Sequence, residues 1–250
     1  MTGMMRDEKL RLEKQRRIAP NVYEAILSGE EDFSDRIAAG QFVNLKIDGF
    51  FLRRPISVCD VDKNRLTLIY KTVGRGTEAL SGMTGRTLDV LTGLGNGYDL
   101  TVCGEKPLLI GGGVGVPPMY LAAKRLLAAG KKVSVILGFN TKSEIFYEEE
   151  FRKLGADVTV TTADGSYGIR GFVTDAMPAL NYTYFYTCGP EPMLKAVYAA
   201  AKTSGQFSFE ERMGCGFGAC MGCSCKTVTG FKRICKDGPV LEKEEILWEK

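Results

Sequence analysis

Cysteine crowding near the C-terminus constrains this chain more than any other feature. The run Cys215-Gly-Phe-Gly-Ala-Cys220-Met-Gly-Cys223-Ser-Cys225 is followed ten residues later by Cys235, so five of the eight cysteines fall within 21 positions. Cys215, Cys220 and Cys223 have the spacing C-x4-C-x2-C that opens a plant-type [2Fe–2S] site. The intervening glycines let backbone N–H groups turn toward the sulfurs. Cys235 is the natural fourth ligand. Cys223 and Cys225 would share a face of an extended segment, which keeps Cys225 as a reserve ligand.

Three other readings compete. A disulfide framework conflicts with a chain that starts on charged residues and shows no secretory apolar stretch. A structural zinc site is the stronger rival, although zinc ribbons pair two C-x2-C knuckles and only one is present. Unligated core cysteines do not normally crowd this closely.

The rest of the composition narrows what such a centre can serve. A chain of 250 residues with 44% hydrophobic and 25% charged residues suggests two domains, or two and an appendage, of ordinary globular character. The net charge of +3 comes without a long basic block, so neither nucleic acid nor an anionic membrane is indicated as a partner. The most apolar region, residues 107–123, is interrupted by four glycines and by Pro117 and Pro118, which argues against a membrane span. A cytoplasmic, reducing location is expected, where many cysteines mean metal or redox work. Histidine is absent. That removes Ser-His and Cys-His catalysis and histidine acid–base chemistry, and favours electron transfer in which a cofactor carries the reaction.

Residues 1–17 read as a charged helical run or a frayed terminal arm. From Ile18 to about Asp99 short strands alternate with turns: 22–27, 41–47, 56–60, 65–71 and 87–91. This pattern predicts a small antiparallel barrel. Arg53-Arg54-Pro55-Ile56-Ser57 places a guanidinium beside a hydroxyl at the start of a strand. In Tyr70-Lys71-Thr72-Val73-Gly74-Arg75-Gly76-Thr77, a glycine pair lets the backbone approach a phosphate, with Thr77 and the following amides as donors. Each motif alone is more often structural. Together, on neighbouring strands, they suggest a dinucleotide lying across the barrel.

After Asp99 the period changes. Strands at 107–110, 132–137, 158–162 and 182–187 alternate with helices at 119–129, 143–154, 173–180 and 191–204, which predicts a doubly wound parallel sheet. Gly111-Gly112-Gly113-Val114-Gly115 leads into the first helix, where nucleotide phosphates meet a helix N-terminus. It departs from the Rossmann fingerprint, because Val116 stands at the third glycine and no acid ends the second strand. Lys142 faces either a 2′-phosphate or solvent, which leaves NADH and NADPH open. Cys188-Gly189-Pro190-Glu191-Pro192-Met193 occupies the fourth strand end, where open α/β sheets bind ligands, although Cys188 equally suits a buried core position.

These motifs resemble the ferredoxin–NADP reductase superfamily: Arg54-Pro55-Ile56-Ser57, Gly111 to Gly115, and Cys188 to Met193. The tail narrows the likeness. Glu211-Arg212-Met213-Gly214-Cys215 through Cys223, then Cys235-Lys-Asp-Gly-Pro239, resembles electron-transfer subunits of class 1B dihydroorotate dehydrogenases, as do Asp164 to Gly168 and Gly171 to Asp175. The resemblance implies an FAD-binding barrel (1–100), a nicotinamide domain (101–205) and a [2Fe–2S] segment (206–250). It implies that Arg54, Pro55, Ile56, Ser57, Ile69, Tyr70 and Lys71 line the FAD, and that Gly76 and Thr77 hold its pyrophosphate. It implies NAD(H) at Gly111, Gly112, Gly113 and Gly115 with Cys188, Gly189 and Pro190. Cys215, Cys220, Cys223 and Cys235 become the cluster ligands, and Cys225 is left free. An FMN-containing dihydroorotate dehydrogenase chain is the implied partner, two of each, and no residue of this chain acts as acid or base. Only eleven residues separate Cys223 from Cys235, fewer than in a full plant-type ferredoxin domain. The cluster segment should therefore pack on the other domains, with the metal as its staple. Two alternatives remain: the small flavin/iron–sulfur subunit of a sulfide dehydrogenase or NADH-dependent ferredoxin:NADP oxidoreductase, and a zinc-stapled, non-redox nucleotide-binding protein.

Overall fold

The computed structural model describes residues 5–248. The N-terminal half is a closed antiparallel barrel. It comprises β1 (Arg6–Ala19), β2 (Val22–Ser28), β3 (Phe42–Leu45), β4 (Arg54–Asp62), β5 (Arg65–Lys71) and β6 (Thr87–Leu94), in the order β1-β2-β5-β4-β3-β6. A seven-residue helix, α1 (Arg75–Ser81), crosses between β5 and β6.

The first strand corrects a sequence expectation. Residues 6–17, expected to be helical or frayed, form β1, which pairs with both β2 and β6; residues 1–4 of that run lie outside the described part. The reason is a short period-two signal hidden in the charge. Leu10 and Leu12 are buried while Lys9, Arg11 and Glu13 alternate with them, and strands on both sides satisfy the backbone. Ala19 pairs with Val22 across a Pro20-Asn21 turn, and Asn21 takes the positive φ of 60° that asparagine tolerates.

The second half alternates strands and helices: β7 (Pro107–Gly112), α2 (Val116–Ala128), β8 (Ser134–Phe139), α3 (Glu148–Leu154), β9 (Asp157–Thr162), β10 (Ile169–Arg170), α4 (Val173–Ala176), β11 (Tyr184–Cys188), α5 (Glu191–Ala200) and β12 (Gly205–Ser208). The tail adds a hairpin, β13 (Ser224–Thr227) and β14 (Gly230–Arg233), and then β15 (Val240–Glu242). The sheet order is β10-β9-β8-β7-β11-β12-β15, parallel except for β15, which runs antiparallel to β12. Leu108 to Ile110 and Val135 to Leu137 are inaccessible to solvent, as expected of strands covered on both faces. Each such side chain contributes on the order of 1.5–3 kcal/mol of burial free energy.

Three expected helices are shorter in the structure. Residues 143–147 form a 3₁₀ turn and an extended link before α3, residues 177–179 form a 3₁₀ turn after α4, and α5 stops at Ala200 so that the chain can enter β12. Tyr147, at φ 66°, breaks the helical path ahead of α3. Its ring packs inward and its hydroxyl donates to Glu24 of β2 at 3.1 Å.

The two halves share one core. Helix α2 lies between the sheet and the barrel, with Leu121, Ala122 and Ala123 buried and Lys124 reaching Asp60 of β4 at 2.8 Å. Arg125 donates to the carbonyls of Ser34 and Ile37. These contacts fix β4 and the loop that precedes β3 against α2.

Candidate functional site

Three cradles adjoin one another along this junction. The first lies on the barrel, where β4 begins with Arg54 and pairs with β3 so that Asn44 faces Pro55 and Phe42 faces Ser57. Arg54 and Ser57 are half-buried, Pro55 is exposed and Ile56 is buried. The Arg54 guanidinium sits 4.9 Å from the Phe50 ring centroid. It also covers Gly76, where any Cβ would collide with it. The two barrel motifs, read from separate stretches of sequence, therefore meet through a guanidinium and a bare backbone. Ile69 and Tyr70 are buried on β5; the Tyr70 ring stacks on Tyr23 and its hydroxyl donates to Gln15 at 2.7 Å. Lys71 ends the strand exposed, at the edge of the neighbouring cleft. The Thr77 hydroxyl donates to the Gly74 carbonyl at 2.9 Å and accepts from the Val73 and Gly74 amides, closing the turn into α1. The glycine pair is thus the start of a short helix whose first turn the Thr77 side chain closes.

The second cradle is a cleft of about 630 Å³ at the C-terminal ends of β7, β8, β9 and β11. Gly111 and Gly112 end β7, Gly113 to Gly115 make a 3₁₀ turn, and α2 starts at Val116 with proline in its first turn. The turn interlocks with the opposite strand end, since a Cβ on Gly115 would strike the Cys188 carbonyl, and Gly111 pairs with Cys188 in register. Gly189 and Pro190 complete the wall. Burial, and then the Glu210 carboxylate, push the Cys188 thiol up, so it is a neutral thiol at physiological pH. The surroundings of Glu210, at the inner rim of the cleft, likewise raise its carboxyl above the usual range.

The third cradle is the cysteine loop. Residues 209–223 carry no strand or helix, and Gly216 and Gly218 turn at φ 80° and 93°. The Ala219 and Cys220 amides donate to Cys215 Sγ at 3.2 and 3.4 Å, and the Cys235 amide donates to Cys223 Sγ at 3.4 Å. Burial pushes Cys215 up, but the amides of Cys220, Phe217 and Ala219, with the Cys220 thiol, outweigh it and hold the group down at about 6. Cys235, buried and against Cys223, is pushed up to about 12. Cys220 thus bears on Cys215 through its amide, and Cys235 on Cys223. Among the described residues no three cysteine, histidine or carboxylate side chains converge on one ion-sized point. Four cysteines, with amide donors aimed at two of the sulfurs, fit the donor set of a two-iron cluster. Cys225 stands apart on β13, half-buried, and Cys59 and Cys103 lie in the core.

The loop is tied to its neighbours. Asn44 of β3 donates to the Cys215 carbonyl at 3.1 Å, so the loop rests on the strand that pairs with Pro55. Arg233, bidentate to Asp237, donates to the Gly218 carbonyl at 3.1 Å. Asn96, just past β6, holds the Val240 carbonyl at 2.7 Å. No sequence signal pointed to Asn44, because a single asparagine in a short strand shows its purpose only when the loop arrives from 171 positions away.

Comparison with known proteins agrees with this layout. Residues 210–247 match the family described as the iron–sulfur cluster binding domain of dihydroorotate dehydrogenase B, and residues 109–199 match the oxidoreductase NAD-binding domain. The dihydroorotate dehydrogenase B (NAD(+)) electron transfer subunit of Geobacillus sp. (strain WCH70) is 43% identical, covering 98% of this chain and all of that one. The subunit of the same name from Lysinibacillus sphaericus is 44% identical over 96% and 98% of the two chains. Among solved structures, a chain of the NADH-dependent reduced ferredoxin-NADP oxidoreductase superposes with a TM-score of 0.84 at 30% identity, over 99% of this chain and 92% of that one. The zinc-stapled, non-redox alternative gives way to the iron–sulfur match. With near-complete coverage at this identity, and with its cysteine loop seated on the barrel strand β3, the chain belongs to the family of dihydroorotate dehydrogenase B electron transfer subunits.

Proposed function

We propose that this chain passes electrons between NAD(H) and the FMN of a separate dihydroorotate dehydrogenase chain, through its own FAD and [2Fe–2S] cluster. Two copies of each chain make the complex, and the location is the cytoplasm. Residues 1–100 hold FAD, 101–205 hold NAD(H) and 206–250 hold the cluster. Bound FAD supplies the exchange between the paired electrons of NADH and the single electrons of an iron–sulfur centre. The protein's task is placement. Arg54, Pro55, Ile56 and Ser57 with Ile69, Tyr70 and Lys71 line the flavin, and Arg54 with the backbone at Gly76 and Thr77 offers donors to its phosphates. Gly111, Gly112, Gly113 and Gly115 bring backbone against the NAD(H) phosphates, while Cys188, Gly189 and Pro190 close the nicotinamide side. Cys215, Cys220, Cys223 and Cys235 hold the cluster, whose outer edge at the exposed Cys220 faces the partner.

The observation that carries this reading is the Asn44–Cys215 link: it seats the cysteine loop on the strand beside Pro55, so flavin site and cluster are neighbours. No helix among the described residues is long and apolar enough to cross a membrane. The test is purification from the native cell followed by NADH titration. A partner carrying FMN should co-purify, and NADH should bleach both flavin and cluster absorbance. The isolated chain should not oxidise dihydroorotate; turnover of dihydroorotate by this chain alone would overturn the division of labour. The likeness to the ferredoxin-NADP oxidoreductase favours a second reading, a flavin/iron–sulfur subunit of that kind of enzyme. Recovery of a glutamate-synthase-like partner would favour that reading instead.

A further inference from the structure

The end of β8 holds a carboxylate that the sequence pattern conceals. No acid occupies the last positions of the strand, Gly138 and Phe139. The chain then folds through the 3₁₀ turn Lys142–Glu144 and brings Glu144 back to the strand end. There Glu144 Oε2 accepts from the Asn140 backbone amide at 3.2 Å and from Asn140 Nδ2 at 2.9 Å, which fixes the carboxylate. Glu144 is half-buried and lines the 630 Å³ cleft beside Asn140, and among the described residues nothing donates to its Oε1. On the next strand of the same cleft, Thr161 Oγ1 is fully buried with no hydrogen-bond partner. The exposed Phe172 ring stands at the mouth.

The neighbouring ammonium is turned elsewhere. Lys142 Nζ lies 5.7 Å from the centroid of the Tyr167 ring, its backbone amide donates to Ser166 Oγ at 2.8 Å, and it takes no part in the cleft wall.

We propose that Glu144, held by Asn140, is the residue that selects NADH over NADPH, accepting from the adenosine ribose hydroxyls; this rests on the NAD(H) assignment of the cleft. A carboxylate oxygen with a free lone pair is a strong acceptor for a 2′-hydroxyl, and the same charge repels a 2′-phosphate. In an α/β sheet of this kind the adenosine half of the dinucleotide reaches the end of the second strand, which is where Glu144 stands. A hydrogen bond to a charged acceptor is worth roughly ten- to a hundred-fold in affinity.

The test uses the holoprotein and two independent readouts. In Glu144→Gln, KM for NADH in flavin reduction should rise about ten-fold with little change in kcat, and the NADH/NADPH ratio of kcat/KM should fall by a similar factor. By calorimetry, ADP-ribose should bind wild type far more tightly than 2′-phospho-ADP-ribose, with the gap narrowed in Glu144→Gln. Lys142→Ala should leave both ratios unchanged. An active Glu144→Gln protein with the wild-type cofactor ratio would overturn this inference alone. So would loss of discrimination in Lys142→Ala. A wild-type protein that neither accepts electrons from NADH nor binds ADP-ribose would overturn the NAD(H) assignment and this inference with it.

Discussion

The nucleotide cleft and the cysteine loop are built on opposite terms. The cleft is made of largely buried strand ends, and its glycine turn fits against the Cys188 backbone with no room for a side chain at Gly115. Its shape is set by backbone packing. The loop from residue 209 to 223 has no regular structure; Cys223 is buried, but Phe217, Cys220 and Met221 are exposed. It is held by clasps at Asn44 and Arg233 and by amides aimed at sulfur, while Asn96 ties down the segment after Cys235. A rigid cleft positions a substrate that comes and goes, whereas the loop leaves much of its ordering to a resident metal centre.

The sharpest way to break this contrast is to remove the proposed cluster ligands. Cys223→Ser should lose essentially all iron and acid-labile sulfide and all electron delivery to the partner, while NADH still reduces the flavin. Hydrogen exchange should rise across 209–235 and stay low across 107–162. Cys225→Ser should keep a full cluster. Sulfide retained in Cys223→Ser but lost in Cys225→Ser would reassign the ligands.

The cleft should fail differently. Gly115→Ala forces a Cβ into the Cys188 carbonyl, and neither backbone yields easily. Overpacking of this kind costs about 1–3 kcal/mol. A displaced turn should raise KM for NADH by on the order of ten- to a hundred-fold. Cluster content should not change. Thermal unfolding, NADH kinetics and iron analysis on one preparation separate the two regions.

Much of the cleft was legible because its signals are local. A run such as Leu108-Leu109-Ile110 has one consistent reading, and a glycine turn announces itself. The barrel's first strand was not, because two alternating leucines within a charged run do not outweigh a helical reading; pairing with β2 and β6 decided it. The same holds for β15. Three residues of the cysteine tail extend the nucleotide sheet through bonds to β12 more than thirty positions away, and nothing local predicts that. Arg54 and Gly76 were each readable as motifs, and their neighbouring strands were anticipated, but the guanidinium lying on the bare glycine was not. Glu144 was invisible for the opposite reason. It lies five positions past the strand end and reaches it only through a 3₁₀ turn.

A smaller effect probes the clasp between barrel and loop. Asn44→Ala removes the side-chain donor to the Cys215 carbonyl, one hydrogen bond worth about 1 kcal/mol. The cluster should still assemble, and the rate of flavin-to-cluster transfer should fall several-fold as the loop loosens. Stopped-flow reduction by NADH resolves the two steps. An unchanged cluster step would mean that Arg233 alone suffices to hold the loop, and the Asn44 contact would lose its role in placing it.

The smallest effect lies at Glu210, where the last parallel strand leaves the cleft and becomes the cysteine loop. Its surroundings raise the carboxyl above its ordinary value of 4.5, so the folded state prefers the neutral form. For a group raised in this way, the contribution to stability is fully present below 4.5 and is lost as pH rises through the folded value. Around neutral pH, wild type therefore carries the cost of a partly desolvated charge that Glu210→Gln does not. Because the side chain still reaches solvent, that cost is under about 1 kcal/mol. Glu210→Gln should unfold at a slightly higher temperature than wild type at pH 7, with the difference vanishing toward pH 4. If the charge at Glu210 instead serves the junction through a bound cofactor, the variant should lose stability only in the holoprotein. Comparing apo and holo unfolding curves across that pH range then shows whether the cleft or the loop claims this residue.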